Sequence, residues 1–208
     1  MGSETVPGRR DRKKQQTRAA LMTAALRLVA ERGLDHVTVE EISEAADVSP
    51  RTFFNYFATK DDALIGEPLD GHAFCRRLLA LPRDMPLVTA ALTVMEPEIE
   101  QIEAERDVWL LRLRVINDNP ALLPILVARG ATAEQQWTAV IAARTGLPPD
   151  NLYPHVAAAV IGAAFRTAMM RWAAAEDGRR LVDLVREACD FLAAGLAEPS
   201  PTHEEVAS

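Results

Sequence analysis

Residues 38 to 60 read Thr38-Val-Glu-Glu-Ile-Ser-Glu-Ala-Ala-Asp-Val-Ser-Pro-Arg-Thr-Phe-Phe-Asn-Tyr-Phe-Ala-Thr-Lys60, and their capping residues decide the fold. Thr38 with Glu41 fits a capping box. Ser49 followed by Pro50 fits an N-cap and a first helical position, and Thr59 fits the N-cap of a helix starting at Lys60. The stretch predicts two short helices, a tight turn between them and the start of a third. Val39, Ile42 and Ala46 recur at helical spacing, and Val48, Phe53 and Phe57 supply an apolar wedge that locks the helices at a steep angle. Pro50, Arg51 and Asn55 are left facing solvent. A helix whose N-terminal residues are polar and exposed fits the major groove of DNA. There Arg51 can read guanine through two parallel hydrogen bonds, and Asn55, one turn later, can read adenine or bond a phosphate.

On the N-terminal side, Leu21, Ala24, Ala25, Leu28 and Val29 form a helical stripe with Gly33 as its stop. Before it runs Arg9-Arg10-Asp11-Arg12-Lys13-Lys14, and residues 1–8 carry little that could pack. Residues 1–16 are expected to be a basic flexible arm, either simply solvated or adding phosphate and minor-groove contacts. Residues 17–65 are then a three-helix helix-turn-helix domain.

On the C-terminal side Gly66, Pro68 and Gly71 interrupt the helical pattern, so the joint is either a hinge or a plain loop. Helix resumes near His72 and runs to a break at Pro82–Pro86. Further helices come after it. One starts at Leu87 and continues past Pro97 to Ala104; one carries Trp109 to Ile116; one runs from Leu122 to Gly146. The last two run from an Asp150 cap to Asp177 and from Arg179 to Leu196. No repeat and no strand pattern is present. The expected class is all-α, with residues 66–197 forming a helical ligand-sensing and dimerisation domain and residues 198–208 a disordered tail.

With 208 residues and 49% hydrophobic content the chain can bury a substantial core. Its net charge of -7 argues against a globally basic nucleic-acid binder. The acidity is unevenly placed: residues 1–65 hold ten Lys/Arg and ten Asp/Glu, leaving thirteen and twenty of the totals of 23 and 30. Cys75 and Cys189 have neither metal-ligand nor disulfide-framework spacing, which points to a reducing cytoplasm and gives no support for a redox role. No apolar run reaches the ~20 residues of a membrane span. The histidines at 36, 72, 155 and 203 are scattered, with no Ser-His-Asp set, metal spacing or phosphate loop. An enzyme is therefore disfavoured, and no metal or cofactor is expected.

The pattern Thr38-x-x-x-Ile42-x-x-x-Ala46-x-Val48-Ser49-x-x-Thr52-x-x-x-Tyr56-Phe57-x-x-Lys60 resembles the DNA-binding domain of the TetR family of bacterial transcriptional repressors. The resemblance covers residues 17 to 64. It implies a homodimer formed through the last two helices, double-stranded operator DNA as partner, and a small-molecule effector sensed by the C-terminal helices. It also implies that Tyr56 and Lys60 lie at phosphates with Thr38 and Ser49 alongside. The expected DNA-binding set is thus Thr38, Ser49, Pro50, Arg51, Thr52, Asn55, Tyr56 and Lys60. Two departures stand out: Asp47 occupies a turn position where glycine is common, and Phe54 replaces a tyrosine whose hydroxyl often meets a phosphate, so backbone anchoring should be weaker.

For an effector of largely hydrophobic character, the side chains that sit oddly in apolar helices are Trp109, Arg112, Leu113, Trp137, Phe165, Arg166 and Met169. Each has plain core packing as its alternative. Inward-facing Arg112 and Arg166 would need a partner, either an acid such as Glu96 or Glu100 or an anionic ligand. The rival to the DNA reading is a protein-interaction module that uses the helix-turn-helix as a docking surface.

Overall fold

Arg, Lys and Gln dominate positions 9 to 16, with no glycine or proline among them, and helix begins there. In the computed structural model, which describes residues 9–66, 71–175 and 178–196, α1 spans Arg9–Arg32. This corrects the flexible arm expected over residues 1–16: from Arg9 onward it is the first two turns of α1, and Thr17 Oγ1 donates back to the Lys13 carbonyl at 3.1 Å. Residues 1–8 lie outside the described part, as do the joint residues 67–70 and the tail expected over 198–208.

After α1, Gly33 takes a φ of 85°, and a short 3-10 turn at Leu34–His36 leads to α2 (Val39–Ala45). Then come α3 (Pro50–Phe54), α4 (Lys60–Ile65), α5 (Gly71–Ala80), α6 (Leu87–Ala104) and α7 (Arg106–Asp118). A second 3-10 turn at Pro120–Leu122 precedes α8 (Leu123–Thr145), α9 (Leu152–Ala174) and α10 (Leu181–Ala193). No strand occurs among the described residues, so the all-α reading holds. Pro97 sits inside α6 without ending it. The cap of α9 is Asn151 and not Asp150, because Asn151 N–H closes a turn on the Pro148 carbonyl (3.0 Å) and starts the helix one residue later.

The chain forms two compact units, and their boundary differs from the expected one at 65/66. Of the described residues, the first takes in those up to Gly71 and 104–133, the second 72–103 and those from 134 onward. The reason is burial. In the first unit, Leu21, Ala25, Leu26 and Val29 of α1 share one core with Ile42, Phe53, Phe57 and Leu64. Val115 and Ile116 of α7 and Leu122 complete that core. The head therefore lacks a closed core without α7. In the second unit the buried faces of α5, α6 and α9 (Leu78, Ile99, Ile161 and Trp172 among them) and of α10 (Leu181, Val185) supply the interior. Arg77 pairs with Glu98 and Arg186 with Glu96 (2.8 Å) on its flanks.

Candidate functional site

Local chemistry builds the helix-turn-helix residue by residue. Thr38 Oγ1 accepts from the Glu41 amide (3.2 Å), and Glu41 Oε2 accepts from the Thr38 amide (2.9 Å), which closes the capping box at the start of α2. Arg32 donates to the other oxygen of the same carboxylate at 2.9 Å. The Thr38 amide first, then its hydroxyl and Arg32, hold the Glu41 carboxyl below the usual carboxylate range. At the far end of α2, Asp47 N–H reaches the Glu44 carbonyl (3.0 Å) and Val48 N–H the Ser43 carbonyl (2.9 Å), a Schellman pair. Asp47 supplies the left-handed residue with a φ of 54°, as its tolerance for that region allowed. Ser43, a buried polar residue that the periodicity did not single out, satisfies its hydroxyl on the Val39 carbonyl at 2.7 Å.

Ser49 then caps α3. Its Oγ accepts from the Thr52 amide (3.2 Å) and shares a hydrogen bond with Thr52 Oγ1 (2.9 Å), with Pro50 at the first helical position. Phe53 and Phe57 are buried, 5.5 Å apart between ring centroids, and hold the inner side of α3 and the turn after it. Pro50, Arg51 and Asn55 are exposed, as are Thr38 and Ser49, while Thr52, Tyr56 and Lys60 are half-buried. Phe54 is 57% exposed beside them.

Lys60 has a further task that its sequence position does not reveal. Its ammonium donates to the carbonyls of Leu34 (2.6 Å) and Val37 (3.1 Å), tying α4 to the link before α2 and leaving one N–H for any phosphate. Asp62 also serves twice: Oδ2 closes a capping box with Thr59, and Oδ1 receives Arg129 from α8, which also donates to the Gly66 carbonyl at the end of α4. Arg129 has no helical period or flanking motif to mark it, and no sequence signal identified it.

The expected effector residues divide between the two units. Trp109, Arg112 and Leu113 belong to the first unit, and Trp137, Phe165, Arg166 and Met169 to the second. Trp137 packs against Phe74, with ring centroids 3.9 Å apart, and Met169 is buried core. Arg166 is exposed, so it needs no internal partner, which corrects its inward placement. Glu96 is taken by Arg186, and Glu100 is exposed. Arg112 is 5% exposed, with its guanidinium 4.5 Å from the Trp109 ring. Burial pushes it below the ordinary arginine value, against the opposing pull of Glu105. Arg144, equally buried and absent from the expected set, donates to the carbonyls of Leu78 (2.9 Å), Leu81 (3.0 Å), Pro82 and Met85 (3.1 Å). Neither cysteine is in a disulfide, and burial raises the Cys189 thiol, with Asp190 adding to it, away from thiolate chemistry. No described helix is long and apolar enough to cross a membrane.

Residues 21–65 match the model of bacterial regulatory proteins of the tetR family, and residues 85–197 match that of the MftR C-terminal domain. The chain is 33% identical over 177 residues to the HTH-type transcriptional regulator TcmR of Streptomyces glaucescens, covering 80% of this chain and 77% of that protein. Among solved structures, its fold is similar to FadR of Thermus thermophilus, a TetR family transcriptional repressor in complex with lauroyl-CoA. That likeness has a TM-score of 0.52 and 23% identity, with 88% and 97% of the two chains covered. SmeT, the repressor of a Stenotrophomonas maltophilia multidrug efflux pump, is similar in its triclosan complex, with a TM-score of 0.56, 19% identity, and 89% and 99% covered. These relatives are regulators and not enzymes, and this chain belongs to the TetR family of bacterial transcriptional regulators.

Proposed function

We propose that the protein is a cytoplasmic homodimeric repressor that binds double-stranded operator DNA through α3 and is released by a small, largely apolar effector. The observation that carries the DNA reading is the division of α3. Phe53 is sealed inside while Pro50, Arg51 and Asn55 stand free on the other side, at an end fixed by the Ser49 cap. Arg51 and Asn55 choose bases; Thr38, Ser49, Thr52, Tyr56 and the remaining Lys60 donor position the head on the backbone. A single five-residue reading helix holds few base contacts, so a second half-site from a partner subunit is needed for specificity.

The dimer surface is supported by α9. Leu152 (73% exposed), Tyr153, Val156 and Val160 recur along one side of it, and Phe191 of α10 is exposed as well. A contiguous apolar patch of this kind is unusual on a monomer. Release requires that the effector bind the non-reading arrangement of the dimer more tightly than the reading one; equal affinity for both shifts nothing. The relatives bound to lauroyl-CoA and to triclosan are consistent with an effector of apolar body.

The test is titration of an operator selected from random duplexes by the purified protein. Arg51→Ala should weaken binding by ~1–3 kcal/mol, roughly 5- to 150-fold, and relax preference at one base position. Unchanged affinity and preference would remove α3 from the reading role. Val156→Glu should move the dimer toward monomer by at least about tenfold in dissociation constant and lower operator affinity with it. A variant that stays dimeric at the same concentrations would clear α9 of that role.

A further inference from the structure

The charge, burial and bonding of Arg112 do not balance within the first unit. Its Nε is buried without a hydrogen-bond partner, and its Nη2 meets the sulfur of Met22, at 3.9 Å. These two nitrogens form the lateral edge of the guanidinium, the edge that presents two parallel N–H groups to a carboxylate. No oxygen among the described residues takes that edge. One face of the same guanidinium rests on the Trp109 ring, and Gly66, the C-cap of α4, makes room for it: a Cβ at Gly66 would come within 3.2 Å of the Arg112 Cζ. Burying an arginine without an anion costs several kcal/mol.

We propose that the lateral edge of Arg112, covered by the Met22 thioether, anchors the carboxylate of a monoanionic effector with an apolar body, beside the C-terminal end of α4. This deepens the effector-release reading above and rests on it. The chemistry selects the class. A planar fork matches a planar carboxylate, and one buried guanidinium balances a single negative charge better than the double charge of a phosphate monoester. The apolar body fits Trp109 and Met22 and also Val108, which lies at i-4 from Arg112 on α7. Met22 is suited to its place as a cover: an unbranched thioether repacks readily and leaves no acceptor unsatisfied when it moves. Gly66 supplies the response, because its carbonyl is already held by Arg129, so an anion drawn to Arg112 acts next to a fastened end of α4.

The experiment titrates the intact protein with decanoate and with 2-naphthoate, each against its neutral amide, by calorimetry and tryptophan fluorescence. Both acids should bind, and each amide should bind at least ~10-fold more weakly, the loss expected for a charge-assisted pair. Arg112→Met should bring the acids down to the level of the amides, Arg112→Lys should fall between, and Met22→Ala should tighten the acids several-fold. Absence of binding by both acids, equal binding of acid and amide, or undiminished acid binding by Arg112→Met overturns the proposal. Arg112→Lys and Met22→Ala keep the result decisive if Arg112→Met fails to fold. Operator titration in parallel separates the two levels. Intact operator binding with no response to any acid removes the Arg112 anchor alone; loss of operator binding removes the regulator reading.

Discussion

Arg144 and Arg112 are equally buried, each 5% exposed, and differ in everything else that matters to a charge. Arg144, in the second unit, spends its guanidinium on four backbone carbonyls, one from the end of α5 and three from the turn behind it. It closes a helix C-terminus that has no glycine to close it, and it gathers the Pro82–Met85 turn onto the same group. Arg112, in the first unit, finds an aromatic face and a sulfur. Burial alone therefore does not separate a scaffold arginine from a site arginine. What separates them is how many oxygens the fold itself supplies.

The contrast is tested most severely by treating both residues alike. Arg144→Met leaves four carbonyls without their donor and should cost about 3–5 kcal/mol, read as a lower urea midpoint at unchanged slope. Arg112→Met exchanges a poorly bonded buried charge for a shorter uncharged thioether that follows the arginine stem as far as Nε, and should be neutral, or stabilising by ~1–2 kcal/mol. Equal destabilisation by the two would end the distinction and make Arg112 an ordinary structural residue. A stabilised Arg112→Met that no longer binds acids would show stability held back in favour of a binding site.

The same contrast explains what could be read from the chain. Thr38, Ser49 and Thr59 bond to atoms three residues away, so the caps, the turn and the exposed Arg51 and Asn55 were legible from spacing. The stop at Gly33 and the left-handed Asp47 are local in the same sense. Arg129 and Arg144 bond to partners more than 50 positions away, and nothing near either residue encodes that distance. That the first unit takes in α7 was not legible for a related reason. Whether α7 completes the core of the head depends on Val115 and Ile116 meeting α1, and periodicity shows that a helix has an apolar face without showing what covers it. Arg166 was misplaced because one polar residue in an apolar helix fits either face. The early start of α1 reflects composition overruled by propensity: a basic run reads as an arm, yet Arg, Lys and Gln are good helix formers.

A third arginine gives the smallest and most exposed version of the test. Arg32 bonds Glu41 at the surface, where ion pairs are worth little, and it is the least of the influences lowering that carboxyl; the Thr38 amide and hydroxyl come first. Because the folded-state value is depressed, the stabilisation is fully present above the ordinary glutamate range and is lost as the pH falls through it and on through the lower folded value. Unfolding midpoints followed from neutral pH into acid should therefore decline with a component that Arg32→Gln leaves mostly in place and that Thr38→Val lowers further, by taking away the hydroxyl while the amide keeps its hold. The opposite order would mean that the exposed arginine, and not the cap, fixes the start of α2. It would also make oxygen supplied by the fold a poorer guide to arginine function than Arg144 suggests.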